Sequence, residues 1–137
     1  MLFLFDKNLL TNGYCWGEDN CRLDDESRLC LHRDTLNILA EHGVIKLYRC
    51  PDPTGERFLL CPEKNWQIIA EAVERQFAKL PDSDKAMRLL CSGTPAAVDS
   101  QGRIKITITC LNHAKIGLGT RVKLLGVGHY YEISKLL

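Results

Sequence analysis

The chain has 137 residues, of which 45% are hydrophobic, and a formal net charge of +1. These values fit one compact domain or two interlocked halves, and they argue against extensive disorder. No apolar run approaches the roughly 20 residues of a membrane-spanning helix, and Asp6 interrupts the apolar start too early for a signal peptide. Seven cysteines, an odd number, favour reduced thiols over a disulfide framework. We therefore expect a cytoplasmic protein.

Charge is distributed unevenly along the chain. Residues 1–60 contain seven Lys/Arg and ten Asp/Glu, whereas residues 61–137 contain eleven and seven. The first segment therefore carries −3 and the second +4. A surface that faces phosphate groups should draw more on the second half of the chain.

The first half predicts short strands around one helical segment. A strand at Leu29 and Leu31 is followed by a helix from Thr35 to His42 that ends at Gly43. Two further strands, at 44–48 and 57–60, enclose a turn rich in proline and glycine.

The middle predicts two helices. The first begins at Pro62 and repeats apolar residues at helical spacing, namely Trp66, Ile69, Ala70, Val73, Phe77 and Leu80. The second covers 84–92 and stops at Gly93. Both are expected to pack their apolar faces against one side of the strands.

The last part of the chain predicts strands again. Ile104, Ile106 and Ile108 alternate with polar residues, which is typical of a half-buried strand. A helical turn is predicted at 114–118, and strands at 120–125 and 130–133 are joined by a glycine-rich turn.

One turn motif occurs twice. Residues 23–29 read LDDESRL and residues 98–104 read VDSQGRI, so that an Asp precedes an Arg by four residues in each. Leu36-Asn37 and Leu111-Asn112 follow the two copies at the same distance. The duplication predicts a lead-in at 1–16, a first repeat at 17–64, a helical connector at 65–93 and a second repeat at 94–137. Each repeat is too small to bury a core alone, so we expect the two to interleave around a pseudo-two-fold axis.

The motifs resemble those of the MraZ family. The run from Gly17 to Leu29, the Pro62-x-x-x-Trp66-x-x-Ile69 pattern and the passage from Arg88 to Ile104 carry the resemblance, which covers about residues 17–137. It implies an α+β fold in which duplicated AbrB/MazE-like hairpin units form an interleaved β-barrel, with two helices between the repeats. The chain departs from the family motif at Ser27, where a glycine is expected.

The resemblance also implies a function. The family consists of cytoplasmic, nucleoid-associated transcriptional regulators that assemble into rings and bind short direct repeats in double-stranded DNA, upstream of a cell-division and cell-wall gene cluster. On this basis we expect the turns to be organised by Asp24, Ser27, Asp99 and Gly102. The residues expected to contact DNA are Arg28, Arg103, Lys105, Arg121 and Lys123.

Two alternatives stay open at this point. Each Asp–Arg pair could be an intramolecular clamp that holds its turn and contacts nothing else. The chain could also be an oligomeric protein-interaction module that has kept the fold and lost DNA binding. An enzyme is not expected: Cys15, Cys21 and His32 lack the usual spacing of zinc ligands, and no nucleophile is recognisable beside a base. No metal and no cofactor are predicted.

Overall fold

The computed structural model describes residues 13–77, 84, 88 and 91–136. Within these residues the chain forms an α+β fold of eight strands and three helices. The strands are β1 (Glu18–Leu23), β2 (Arg28–Cys30), β3 (Lys46–Pro51), β4 (Arg57–Pro62), β5 (Thr94–Ala97), β6 (Arg103–Lys105), β7 (Arg121–Gly126) and β8 (Tyr131–Lys135). The helices are α1 (Arg33–Glu41), α2 (Glu63–Phe77) and α3 (Ile108–Ala114).

All eight strands belong to one antiparallel sheet, in the order β5-β3-β4-β8-β7-β1-β2-β6. The two end strands, β5 and β6, lie next to each other, so the sheet is a nearly closed barrel. The buried Arg49 of β3 spans this seam: its Nη1 donates to the carbonyl oxygen of Lys105 at 2.7 Å, and its Nη2 donates to Oγ1 of Thr94 at 2.7 Å.

The strand pairing interleaves the two halves of the chain. Leu29 of β2 lies directly opposite Ile104 of β6, and these two residues are 75 positions apart. Asn20 of β1 lies opposite Lys123 of β7. Pro95 is 75 positions after Asn20 and Tyr48 is 75 positions before Lys123, and these two residues also lie opposite each other. The register therefore repeats about a pseudo-two-fold axis between β2 and β6, and the predicted interleaved barrel is confirmed.

The caps of α1 and α3 are related by the same 75-residue shift. The ring of His32 accepts a hydrogen bond from the backbone N–H of Asp34 at the start of α1. Thr107, 75 positions later, accepts one from the backbone N–H of Cys110 at the start of α3. Because each cap satisfies an otherwise unpaired N–H group, it fixes the point at which the chain leaves the barrel for a helix.

Burial of apolar side chains holds the barrel together. One cluster fills its interior and includes Leu29, Leu60, Ile104 and Ile133, each less than 2% exposed. A second cluster lies under α2, where Ile69 and Ala72 pack near Tyr130. Trp66, expected on the apolar face of this helix, is only half-buried; its ring stacks on Tyr48, with centroids 4.6 Å apart.

Three local predictions were wrong. The strand expected through Ile108 stops at Lys105, because Thr107 caps α3 and leaves Ile108 68% exposed at the first helical position. The helical turn expected at 114–118 lies earlier, because α3 ends at Ala114 and Lys115 adopts a left-handed conformation with φ +58°. Pro62, expected to start a helix, is instead the last residue of β4.

Some predictions lie outside the described residues. These are the lead-in up to residue 12, Leu80, and most of the helix expected at 84–92, of which residues 84, 88 and 91 are helical. The side chains of Val73 and Phe77 are also outside the description. In the described part of the chain, no helix is both long and apolar enough to cross a membrane.

Candidate nucleic-acid interface

Both copies of the turn motif fold into the same hydrogen-bonded hairpin. One carboxylate oxygen of Asp24 accepts hydrogen bonds from the backbone N–H groups of Glu26 and Arg28, each at 2.9 Å. The other oxygen accepts a hydrogen bond from Nε of Arg28 at 2.8 Å. Asp99 repeats this pattern with Gln101 and with Arg103, and all three distances are 2.9 Å. Each Asp therefore fixes both the path of the turn and the direction of the arginine side chain.

The residue before each Arg has a positive φ angle. Gly102 has φ +78°, which glycine adopts freely, and Ser27 has φ +62°. A left-handed conformation costs a residue with a side chain about 1–2 kcal/mol, so the first turn is strained where the second is not. The turn nevertheless closes, since the N–H of Ser27 donates to the carbonyl oxygen of Asp24 at 3.3 Å.

Electrostatics favour the ionised form of both clamps. The backbone N–H and the side chain of Arg103, together with the N–H of Gln101, hold the pKa of Asp99 below its usual value. The hydrogen bond that Arg28 donates to Asp24 raises the pKa of Arg28 above its usual value. Both carboxylates therefore stay ionised at neutral pH, since the pKa of Asp24 is also lowered.

The two arginines differ in what their outer nitrogens contact. In Arg28, Nη2 lies 3.4 Å from Oε2 of Glu26, so part of its charge faces a second carboxylate. For Arg103, the only ion pair within the described residues is the one through Nε to Asp99. Its terminal nitrogens can therefore bind the edge of a guanine or two oxygens of a phosphate group.

Four adjacent strands bring six basic side chains onto one surface. On β1, Cys21 and Leu23 are buried whereas Asn20 and Arg22 are exposed, so the alternate residues point out of the barrel. The same alternation runs along the neighbouring strands β7, β2 and β6. We define the basic face as the outward-facing basic residues of these strands: Arg22, Arg28, Arg103, Lys105, Arg121 and Lys123.

All five predicted contact residues lie on the basic face. Nζ of Lys105 donates to the carbonyl oxygen of Glu26 at 2.5 Å, which ties β6 to the first turn. Nζ of Lys123 lies 3.1 Å from Oε1 of Glu18, and both groups are substantially exposed. Arg121 is exposed. Sequence analysis missed Arg22, although the period-two alternation along 18–23 could have identified it.

A third Asp–Arg clamp lies in the hairpin between β3 and β4, and sequence analysis missed it. The fully buried Asp52 accepts hydrogen bonds from the backbone N–H and the hydroxyl of Thr54 at 2.8 and 2.7 Å, and from Nε of Arg57 at 2.6 Å. Nε2 of His113 lies within hydrogen-bonding distance of the carbonyl oxygens of Asp52 and Gly55, which ties α3 to this hairpin. The spacing of five residues instead of four hid the likeness to the repeated motif.

His, Cys, Asp and Glu side chains in the described residues are the groups that could bind a metal ion. No group of three or more His, Cys, Asp or Glu side chains among them is placed to hold a metal ion. Burial raises the pKa of the Cys15 thiol to about 12 and that of Cys21 to about 11. Such thiols stay protonated and are poor nucleophiles.

Comparison with known proteins places this geometry in a family. The chain is 31% identical over 120 residues to the transcriptional regulator MraZ of Herminiimonas arsenicoxydans, a match that covers 85% of this chain and 79% of the relative. It is 31% identical to the transcriptional regulator MraZ of Bordetella pertussis and 28% identical to that of Paraburkholderia xenovorans, with the same coverage. No protein-family model matches the chain. With this degree of identity to proteins of one name, over most of their length, the chain belongs to the MraZ family.

Proposed function

We propose that the chain is a DNA-binding transcriptional regulator that recognises short direct repeats upstream of a cell-division and cell-wall gene cluster. The observation that carries the proposal is the duplicated Asp–Arg clamp, which presents Arg28 and Arg103 on the basic face. Relatives named as transcriptional regulators support it.

Each part of the basic face has a distinct role in this proposal. Arg28 and Arg103 read base edges, because a guanidinium group can pair with guanine through two hydrogen bonds. Asp24 and Asp99 aim these two groups, and the positive φ at Ser27 and Gly102 closes the turns behind them. Contacts to backbone phosphates come from Lys105, Arg121 and Lys123. No catalytic step is part of this function.

One protomer carries few phosphate contacts, so affinity requires several protomers on spaced DNA sites. We therefore include self-association into a ring-like homo-oligomer and action at the nucleoid in the cytoplasm. The division of the chain into a lead-in at 1–16, repeats at 17–64 and 94–137, and a connector at 65–93 is part of the same proposal. It is supported by the 75-residue shift that relates the strand pairings.

A protein-interaction module that has lost DNA binding is the second candidate. The contact of Glu26 with Arg28 favours it, since a carboxylate 3.4 Å from the guanidinium competes with phosphate. Under this alternative the clamps only hold the turns.

The experiment measures binding by fluorescence anisotropy at two salt concentrations. It compares the duplex upstream of the gene that encodes this chain with scrambled DNA. Arg103→Ala should weaken selective binding by about tenfold or more, since a bidentate base contact is worth about 1–3 kcal/mol. Arg28→Ala should have a smaller effect because Glu26 shares its charge. Lys64→Ala, an exposed position on α2, is the matched control.

Selective binding that survives Arg103→Ala within twofold would remove that residue from the interface. Absence of selective binding by the unmodified protein at low salt would favour the protein-interaction module.

A further inference from the structure

Two arginines lie directly opposite each other on the basic face. Arg22 of β1 is the cross-strand partner of Arg121 of β7, and both are exposed. No hydrogen bond or ion pair joins either side chain to another residue in the described ranges. Like charges in directly opposite positions destabilise a sheet, so the pair is a cost to folding. An anion between the two guanidinium groups would remove that cost.

The pair continues into a row across four strands. Arg22 is also the partner of Cys30 on β2, and Cys30 is the partner of Arg103 on β6. Directly opposite residues point to the same face of a sheet, so the row Arg121–Arg22–Cys30–Arg103 lies on one surface. Three inter-strand spacings make it about 14 Å long. A DNA strand advances about 3.4 Å along the helix axis per phosphate, so this length faces several phosphates.

The barrel architecture does not itself require this pair. The positions related to Arg22 and Arg121 by the 75-residue shift are Ala97 and Lys46, which also lie opposite each other. The same place in the other half of the barrel therefore carries one positive charge instead of two. This difference between equivalent positions separates the role of the arginine pair from the needs of the fold.

We propose that Arg22 and Arg121 form a phosphodiester-binding site, which holds the backbone of a DNA duplex while Arg103, at the end of the same row, reads base edges. The site rests on the proposed function and extends it, because it assigns Arg22 to the interface and sets the direction of the bound strand across β7, β1, β2 and β6. Binding here is independent of base sequence, because phosphates carry no base information.

The test uses the full chain with the double variant Arg22→Gln/Arg121→Gln. The matched control, Lys46→Gln/Lys64→Gln, removes two positive charges from exposed positions on β3 and α2. Affinity for the upstream duplex and for scrambled DNA is measured by anisotropy at four salt concentrations. If each arginine neutralises one phosphate, the slope of log affinity against log salt becomes shallower by about 1.8 in the double variant. The ratio of upstream to scrambled affinity should stay the same.

Each outcome is decisive for one proposal or for both. A double variant with an unchanged slope, or a control that loses as much slope, overturns the phosphodiester site while the regulator function stands. If the double variant has the shallower salt slope but the unmodified protein binds both duplexes equally well, the phosphodiester site is supported and recognition of direct repeats is contradicted. No binding to any duplex overturns both. The melting temperature of the double variant should equal or exceed that of the unmodified protein, which shows that reduced binding does not come from unfolding.

Discussion

Replacement of Arg49 tests how far the basic face depends on closure of the barrel. This buried arginine donates two hydrogen bonds of 2.7 Å, to the carbonyl oxygen of Lys105 and to Oγ1 of Thr94, and longer ones to the carbonyl oxygens of Thr94 and Pro95. It therefore connects β3, β5 and β6 at the seam. Burial lowers the pKa of Arg49, because removal of the charged guanidinium group from water is unfavourable. The hydrogen bonds of Arg49 offset this desolvation cost.

The magnitude follows from the two short hydrogen bonds. Hydrogen bonds to charged groups contribute about 1.5–3 kcal/mol each, and recovery of the desolvation cost on removal of the charge offsets part of the sum. We expect Arg49→Met to lower the free energy of unfolding by about 2 kcal/mol, which corresponds to about 6 °C in melting temperature for a chain of this size.

The assay combines urea denaturation with hydrogen exchange. Backbone amides of β5 and β6 should exchange faster in Arg49→Met, while those of β1 and β7 keep their protection, because the seam opens first. DNA affinity should also fall, since β6 carries Arg103 and Lys105. Arg33→Met, at an exposed position on α1, is the control. Ordinary surface substitutions change the free energy of unfolding by up to about 0.5 kcal/mol. If Arg49→Met lowers the free energy of unfolding by less than this, Arg49 is not the residue that closes the barrel.

Four further predictions concern the turns. Asp52→Ala should lower the free energy of unfolding by about 3 kcal/mol in urea denaturation, because the partly buried Arg57 loses its 2.6 Å contact and keeps only the longer one of 3.5 Å to Glu132. An effect no larger than that of Glu56→Ala would contradict this. Ser27→Gly should raise the free energy of unfolding by about 0.5–1 kcal/mol, because glycine adopts the positive φ of this position without strain. A lower free energy of unfolding in the same assay would count against strain at this turn. Gly102→Ser should be destabilising, since its Cβ would lie 2.5 Å from Cδ1 of Leu36. Finally, the lowered pKa of Asp99 means that its contribution to stability is complete above the ordinary value of 3.8 and is lost as pH falls through its folded-state value. The denaturation midpoint should therefore depend less on pH below 4 in Asp99→Asn, and an unchanged pH profile would exclude the clamp as its origin.

Local patterns in the sequence were sufficient for two interleaving halves, whereas the barrel and the expected contact residues came from the resemblance to the MraZ family. The repeated Asp and Arg spacing predicted two equal halves, and the alternation at Ile104 and Ile106 correctly predicted inward-facing side chains. The same alternation failed at Ile108, because residues four apart also share one face of a helix. In the structure, Thr107 caps α3 through its hydrogen bond with Cys110, so Ile108 begins the helix.

Arg49 and Asp52 could not be predicted, because the groups that explain them are distant in sequence. The carbonyl oxygen that Arg49 binds on Lys105 is 56 residues away, and a lone arginine in a strand is ordinarily an exposed residue. Asp52 is buried partly because α3 packs over its hairpin, and His113 of that helix is 61 residues away. Both residues depend on where non-adjacent strands and helices meet, which periodicity does not encode.

Interleaving changes how the uneven charge of the chain should be interpreted. A division into a weakly acidic first half and a basic second half suggested that a phosphate-facing surface draws more on the second half. In the barrel, β1 and β2 of the first half lie between β7 and β6 of the second half, so Arg22 lies beside Arg121 and Cys30 lies beside Arg103. The two halves therefore share one surface, and its positive charge comes from both. The asymmetry lies between the two sides of the barrel, because the positions equivalent to the arginine pair hold Ala97 and Lys46. If the chain binds DNA as proposed, an arginine pair on one side only gives the protomer a preferred orientation on the duplex.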